Sequence, residues 1–185
     1  MRRAILSQTL QGAVLSMTSN IIAQGISSYK HDTPFSLNYI QVLKFAIFSL
    51  LSSPPNILWQ TRLEATFPTT VSTLYDPSEK KPTTPTKREI SKTNVLIKFL
   101  LDQTIGAVIN TLLFLAYMGY VNSGDWNVVA QNCRARLWPM MRDGYKFWPL
   151  ISLISFVWVP VDKRIVFGCS VGVVWGIYLS LAVGA

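Results

Sequence analysis

The chain has 185 residues, half of them hydrophobic and only 14% charged, with a net charge of +8 and a mean hydropathy of +0.31. Soluble domains carry about 25% charged residues, and the deficit here is concentrated in charge-free runs at 4–29, 45–61, 103–124, 147–161 and 165–185. A bilayer-spanning helix needs about 20 apolar residues, so the expected fold is all-α, an integral membrane bundle of four to five transmembrane helices with one short interfacial helix, forming one membrane domain over 1–185.

A first helix is expected over Ala4–Ile26, retained rather than cleaved: it follows Arg2 and Arg3, has no clear small-residue cleavage site and is acid-free up to Asp32. Gln8, Gln11, Asn20 and Gln24 give it a polar side that should face other helices or water. The second helix, Leu37–Thr61, holds Lys44 and the pair Pro54–Pro55, which predicts a kink or break near Ser53, followed by Trp59 suited to the interface. Residues 62–93, rich in Pro, Thr, Ser and Lys without apolar periodicity, read as a hydrophilic mobile loop. The third helix, Asn94–Tyr120, carries Lys98 and Asp102 four apart on one face, where they can pair. Gln103 and Asn110 add further polarity at depth. The segment 126–146 mixes Trp and Met with Arg134, Arg136 and Arg142 and reads as interfacial. A C-terminal hairpin over 147–185 follows, its two helices joined by Asp162–Lys163–Arg164. In its second helix Gly168, Gly172, Gly176, Ser180 and Gly184 recur every four residues. That spacing makes a groove for close helix approach, serving intramolecular packing or a homo-oligomer.

If five helices cross, Arg2, Arg3, Arg62, Lys80, Lys81, Lys87, Arg88, Lys92, Lys163 and Arg164 share one side. Lys30, Arg134, Arg136, Arg142 and Lys146 occupy the other. Positive-inside bias puts the richer set in the insertion compartment. A four-span arrangement, in which helix one or part of helix four does not cross, stays open.

The basic residues lie between apolar runs rather than on one folded face, which argues against nucleic acid as a partner. Cys133, Cys169 and the one histidine, His31, form no ligand spacing, so no metal is expected, and no cofactor. No nucleophile–base pair or phosphate-cradling glycine loop stands out, and no enzymatic role is expected.

The C-terminal run FWPLISLISFVWVPVDKRIVFGCSVGVVWGIYLS is similar to the signature of the Mpv17/PMP22 family. Trp148, Pro149, Phe156, Val159, Pro160, Arg164, Trp175, Tyr178, Leu179 and Ser180 stand at matching spacing, while Ser152, Ser155 and Gly176 depart from the usual residues. Further upstream, Lys98 with Asp102–Gln103 resembles the family's Lys-x-x-x-Asp-Gln. Pro54, Trp59, Leu63 and Glu64 resemble its Gly-Pro, Trp-Tyr and Leu-Glu segment, with Ser53, Ile57 and Gln60 as replacements. In helix one, Asn20 and Gln24 stand where the family has Gly-Asp-x-x-x-Gln, the acid replaced by an amide. The chain thus resembles a divergent, fungal-like member.

The resemblance implies a multi-span protein of the mitochondrial inner membrane or, alternatively, the peroxisomal membrane. It also implies a pore for small solutes that supports organelle homeostasis, without enzymatic activity. The N-terminal arginines favour mitochondria. The residues expected in a pore or polar core are Gln8, Gln11, Asn20, Gln24, Lys44, Lys98, Asp102, Gln103 and Asn110. The competing expectation is a non-conducting scaffold that acts through helix packing and partner binding. The lipid bilayer is the one partner common to both readings.

Overall fold

A computed structural model of the chain describes residues 2–72 and 88–182, with side chains over 3–71 and 89–175. Helix α1 (Arg2–Lys30) is followed by α2 (Tyr39–Thr66), whose start is capped by Asn38: its side chain accepts from the Gln41 N–H at 3.0 Å. Gln24 of α1 grips the same Asn38 in both directions, donating to its carbonyl at 3.1 Å and accepting from its N–H at 2.7 Å. That two-way bond fixes the α1–α2 connection.

The expected break near Ser53 does not form. Helix α2 continues through Pro54 and Pro55 to Thr66. Each proline removes only the donor to the carbonyl four residues back, and membrane helices tolerate such losses where neighbours cover the backbone. Neither is the 62–93 stretch wholly loop. Beyond the end of α2, strands β1 (Thr70–Ser72) and β2 (Arg88–Ile90) pair antiparallel with Val71 opposite Glu89. The part of the expected mobile loop between them, including Lys80, Lys81 and Lys87, lies outside the described residues.

Ser91 caps α3 (Lys92–Leu101), which runs without interruption through a π turn (Asp102–Gly106) into α4 (Ala107–Ser123). Gly124, at φ +68°, closes α4 in the left-handed region where glycine is unstrained, and Asp125 caps α5 (Trp126–Gly144). After α6 (Trp148–Trp158), Pro160 prevents continuation, and a 3-10 turn (Val161–Lys163) leads into α7 (Arg164–Ala182).

Contacts along the elements set their directions. Helix α2 descends antiparallel to α3–α4: Lys44 bonds Asn122 at 2.6 Å, Phe48 meets Phe114 edge-on at 5.3 Å, and Trp59 lies over Gly106. Helix α5 then turns back along α4. Val129 packs on Gly119, Met141 receives the Thr111 hydroxyl at 3.5 Å, and the Tyr145 hydroxyl donates to the Gln103 carbonyl at 2.8 Å. The 126–146 segment therefore runs alongside α4. Gly119 and Val129 interlock, which holds α5 alongside α4, and α5 with α6 together make the fourth traverse of the bundle. Helix α1 is the central element, packed against both α2 and α7.

Polarity is inverted relative to a water-soluble fold. The buried set includes Gln8, Thr9, Asn20, Ser49, Ser53, Lys98, Gln103, Ser152 and Arg164. The outer surface carries Leu43, Ile47, Leu51 and Leu58 of α2 and Leu96, Leu100, Ile105, Ile109 and Leu113 of α3–α4. Tyr39–Thr66 and the continuous Lys92–Ser123 are long and apolar enough to cross a membrane. Apolar residues outside and polar ones within is the arrangement that hydrocarbon imposes.

The close-packing glycines are not those of the α7 ridge. A Cβ on Gly12 would stand 3.3 Å from Cys169 Sγ and Ser53 Oγ and 3.4 Å from Ser49 Oγ, at the crossing of α1, α2 and α7. A Cβ added at Gly168 or Gly172 would meet nothing within 4 Å among the described residues. Gly176 and Ser180 lie beyond the described side chains, and Gly184 lies outside the described residues. Gly12→Leu should therefore lower the thermal midpoint of the detergent-solubilised protein by an amount corresponding to overpacking, about 1–3 kcal/mol or more. Gly172→Leu should leave that midpoint unchanged.

Candidate functional site

The C-terminal turn of α2 carries Glu64, the sole acidic residue of that helix. Its Oε2 accepts from Lys98 Nζ of α3 at 2.6 Å and from Arg164 Nη2 at the start of α7 at 2.8 Å. Its Oε1 accepts the Thr69 N–H at 2.8 Å, and the Thr69 hydroxyl receives a second bond from Lys98. Lys98 has no exposed surface, and the Arg164 side chain is 3% exposed, whereas Glu64 retains 25%. Arg164 also donates through Nε to the Val159 carbonyl at 3.1 Å, folding back over the Pro160 turn.

Phe156, from α6, is 2% exposed and completes the cluster. Lys98 Nζ lies 5.3 Å and Arg164 Cζ 4.9 Å from its ring centroid. Two desolvated cations against one ring face or edge gain cation–π attraction, but a single carboxylate must balance both. The Glu64 charge is thus the element on which the cluster depends.

One turn further along the helix, Asp102 occupies a separate polar nest. It accepts from Ser152 at 2.8 Å, from Gln60 at 2.9 Å and from the Trp59 indole at 3.4 Å. Lys98 and Asp102 therefore do not pair with each other, although their four-residue spacing permits it. Glu64 offers Lys98 a charged partner in a site shared with Arg164, while neutral donors from α2 and α6 converge on Asp102. The π turn makes room for this. Its Gly106 lets the Trp59 indole approach to where a Cβ would stand 3.1 Å from Nε1 and 3.4 Å from Asp102 Oδ1.

The other polar candidates separate into distinct roles. Gln8 and Asn20 are buried on α1, and Gln24 donates to Asn20 at 2.8 Å while gripping Asn38. Lys44 is held at the far end of α2 by Asn122. Gln103 is buried beside Asp102. Gln11, bonded to Ser7, and Asn110 are exposed. Among the signature residues, Trp148 and Phe147 meet Trp175, Phe147 stacking on it at 5.1 Å, and Pro149 occupies the first turn of α6. The side chains of Tyr178 and Ser180 lie outside the described residues. Pro54 lies within α2.

Among the described residues, five buried polar atoms have no protein partner: Gln8 Oε1, Thr9 Oγ1, Gln60 Oε1, Gln103 Oε1 and Arg164 Nη1. No group of three or more His, Cys, Asp or Glu able to hold a metal occurs among the described residues. The arrangement binds four elements together and offers hydrogen-bonding atoms to water or small polar molecules.

Removing Glu64 strands two buried cations, whereas removing either cation leaves a matched pair. Glu64→Gln should destabilise the protein by about 3–5 kcal/mol, and more than either Lys98→Gln or Arg164→Gln. Thermal unfolding in detergent, followed by the far-UV helical signal, checks that order.

Residues 119–180 match the model of the Mpv17 / PMP22 family. The chain is 25% identical to "Protein sym1" of Schizosaccharomyces pombe, over 96% of its own length and 84% of that protein. It is 27% identical to "PXMP2/4 family protein 3" of Dictyostelium discoideum over 97% and 84% respectively. With "Peroxisomal membrane protein PMP22" of Arabidopsis thaliana it shares 28% identity over 45% of each chain. No solved structure gives a significant match. Residues from each segment that carries the family resemblance (Trp59 and Glu64, Lys98 and Asp102, Phe156 and Arg164) meet in the two adjoining polar clusters, and the match over 119–180 together with these relatives supports placing the chain with the Mpv17 / PMP22 family.

Proposed function

We propose that the protein is a channel-like membrane protein that passes small solutes and so supports organelle homeostasis. The observation that carries this reading is the set of buried polar atoms without protein partners. Buried donors and acceptors are nearly always satisfied by protein or water. Gln8 and Thr9 lie on the central helix α1, while Gln60, Gln103 and Arg164 lie around the two clusters. Water bound along these atoms would mark a hydrated seam within a bundle whose outside is apolar.

All five traverses are read as crossing the bilayer. The α5–α6 pair reaches the required length only as a combined unit, since α6 alone has 11 residues. The mitochondrial inner membrane is the favoured compartment, on the strength of Arg2 and Arg3 ahead of an acid-free segment. The relatives' names include peroxisomal membrane proteins, which keeps the peroxisomal membrane as the alternative. Imaging of a tagged protein against both markers separates the two. No enzymatic activity is proposed.

A non-conducting scaffold is the second reading, favoured by the uncovered Gly168–Gly172 surface on α7. In that case Gly172→Leu should abolish larger cross-linked species without affecting the midpoint of the monomer.

The channel reading is tested by solute release from liposomes holding the purified protein. Gln8→Leu combined with Thr9→Val should lower release severalfold while the thermal midpoint stays the same or rises. Correctly folded protein that releases no more solute than empty liposomes overturns the reading.

A further inference from the structure

Helix α5 is attached to the bundle along one side. On the side toward α4, Val129 meets Gly119 and Met141 meets Thr111, with half-buried Cys133 and Leu137 between them, while Arg136 is exposed. On the outward side, at steps of three or four residues, stand Asn127, Gln131, Arg134, Trp138 and Arg142, all exposed. Residues so spaced form one stripe on a helix. Arg134 and Arg142 make no salt bridge among the described residues, where the nearby acid, Asp143, pairs with Lys146 at 2.7 Å.

The depth of this stripe is the unexpected feature. Arg134 lies between the levels of Gly119 and Thr111 on α4, and Arg142 adjoins the Thr111 level through Met141. Both levels fall inside the charge-free 103–124 run, which is matched on α2 by the charge-free 45–61 run through the Phe48–Phe114 contact. A guanidinium at that depth is costly against lipid chains. Snorkelling brings a charged head to the interface from near a helix end. Arg142, however, is eight residues, or about 12 Å, further along α5 than Arg134, and a single interface cannot serve both. Water, and anions drawn from it, satisfies the whole stripe at once.

We infer that the outward stripe of α5, Asn127–Gln131–Arg134–Arg142, lines an aqueous path in the membrane and draws small anionic solutes into it. The inference rests on the membrane-embedded, solute-conducting reading above and deepens it by naming the solute class. Arg supplies charge and forked donors matched to carboxylate or phosphate, and Asn and Gln supply neutral donors along the same line. A low-dielectric wall with charge of one sign concentrates counter-ions.

The test uses the full-length protein in liposomes with Cys133 and Cys169 changed to Ser. Single cysteines are placed by Arg134→Cys and Arg142→Cys, and the outward-facing Leu113→Cys of α4 serves as the lipid-facing control. Membrane-impermeant thiosulfonates, one anionic and one cationic, are the probes. Labelling is expected at 134 and 142 but not at 113, with the anionic reagent roughly tenfold faster than the cationic one. Unlabelled 134 and 142 place the stripe against lipid or a second copy and overturn the inference, as does labelling without anion preference.

Reversal potentials across a potassium chloride gradient supply a separate arm. Anion preference should shift toward cations in the Arg134→Glu, Arg142→Glu variant. A conductance that prefers cations and does not respond to this change overturns the inference while leaving the channel reading intact. Anion-preferring labelling in a protein that conducts nothing overturns the channel reading and leaves the anion-drawing stripe standing.

Discussion

A single carboxylate, Glu64, holds two buried cations from distant parts of the chain, and the lower half of the bundle is organised around it. Lys98 is 34 residues away and Arg164 100 residues away, so the contact joins α2, α3 and α7 at one point, with α6 supplying Phe156 as the ring beneath both charges. Closing loops of that length costs entropy that grows only slowly with length. The desolvation of two cations, by contrast, is large and is offset only if all three groups arrive together. The interaction is therefore better suited to defining one arrangement of the helices than to adding net stability. Thr69, held by Glu64 and reaching toward the Phe156 carbonyl, extends that definition into the strand pair that follows α2.

The rest of the bundle is consistent with hydrocarbon as the solvent for its outer surface. In water, leucines on the outside would drive association and buried glutamines would be costly. In lipid the outer leucines are neutral neighbours, and helix association relies on close approach and interhelical hydrogen bonds. Both devices occur: Gly12 at the three-helix crossing, Gly119 under Val129, the Tyr117 hydroxyl on the Lys44 carbonyl at 3.0 Å, and Ser16 on the Phe45 carbonyl at 3.2 Å. Helix α5 departs from this pattern. It is anchored like a membrane helix along one side and polar like a soluble one along the other.

Much of the architecture could be read from charge spacing alone. The charge-free runs place α1, α4 and α7 within a few residues and mark the middle of α2, because a bilayer penalises a charge at any position of a span. What spacing could not reveal was which charges meet. The four-residue step from Lys98 to Asp102 is a local signal, whereas Glu64 becomes the partner only once α2 and α3 lie antiparallel. Its position as the one acid in α2 was the available clue. The close approach at Gly12 was hidden for a similar reason. The regular ridge on α7 is visible as a period, while Gly12 has no periodic companion and is identified only by the three side chains around it. The 126–146 segment has the composition of a surface helix, and only the Gly119–Val129 and Tyr145–Gln103 contacts show that it climbs back along α4.

The π turn at Asp102–Gly106 has a rotational consequence. One residue added to an α-helix advances everything beyond it by about 100° around the axis. The turn therefore sets the angular phase between Lys98, which faces the Glu64 cluster, and Phe114, Tyr117 and Gly119, which face α2 and α5. Relaxing that turn to a regular helix would keep the lower cluster in place and swing α4, with α5 riding on it, to a different azimuth. The widened turn that admits the Trp59 indole is thus also the joint through which the charged end of the bundle and the arginine-bearing helix are kept in register.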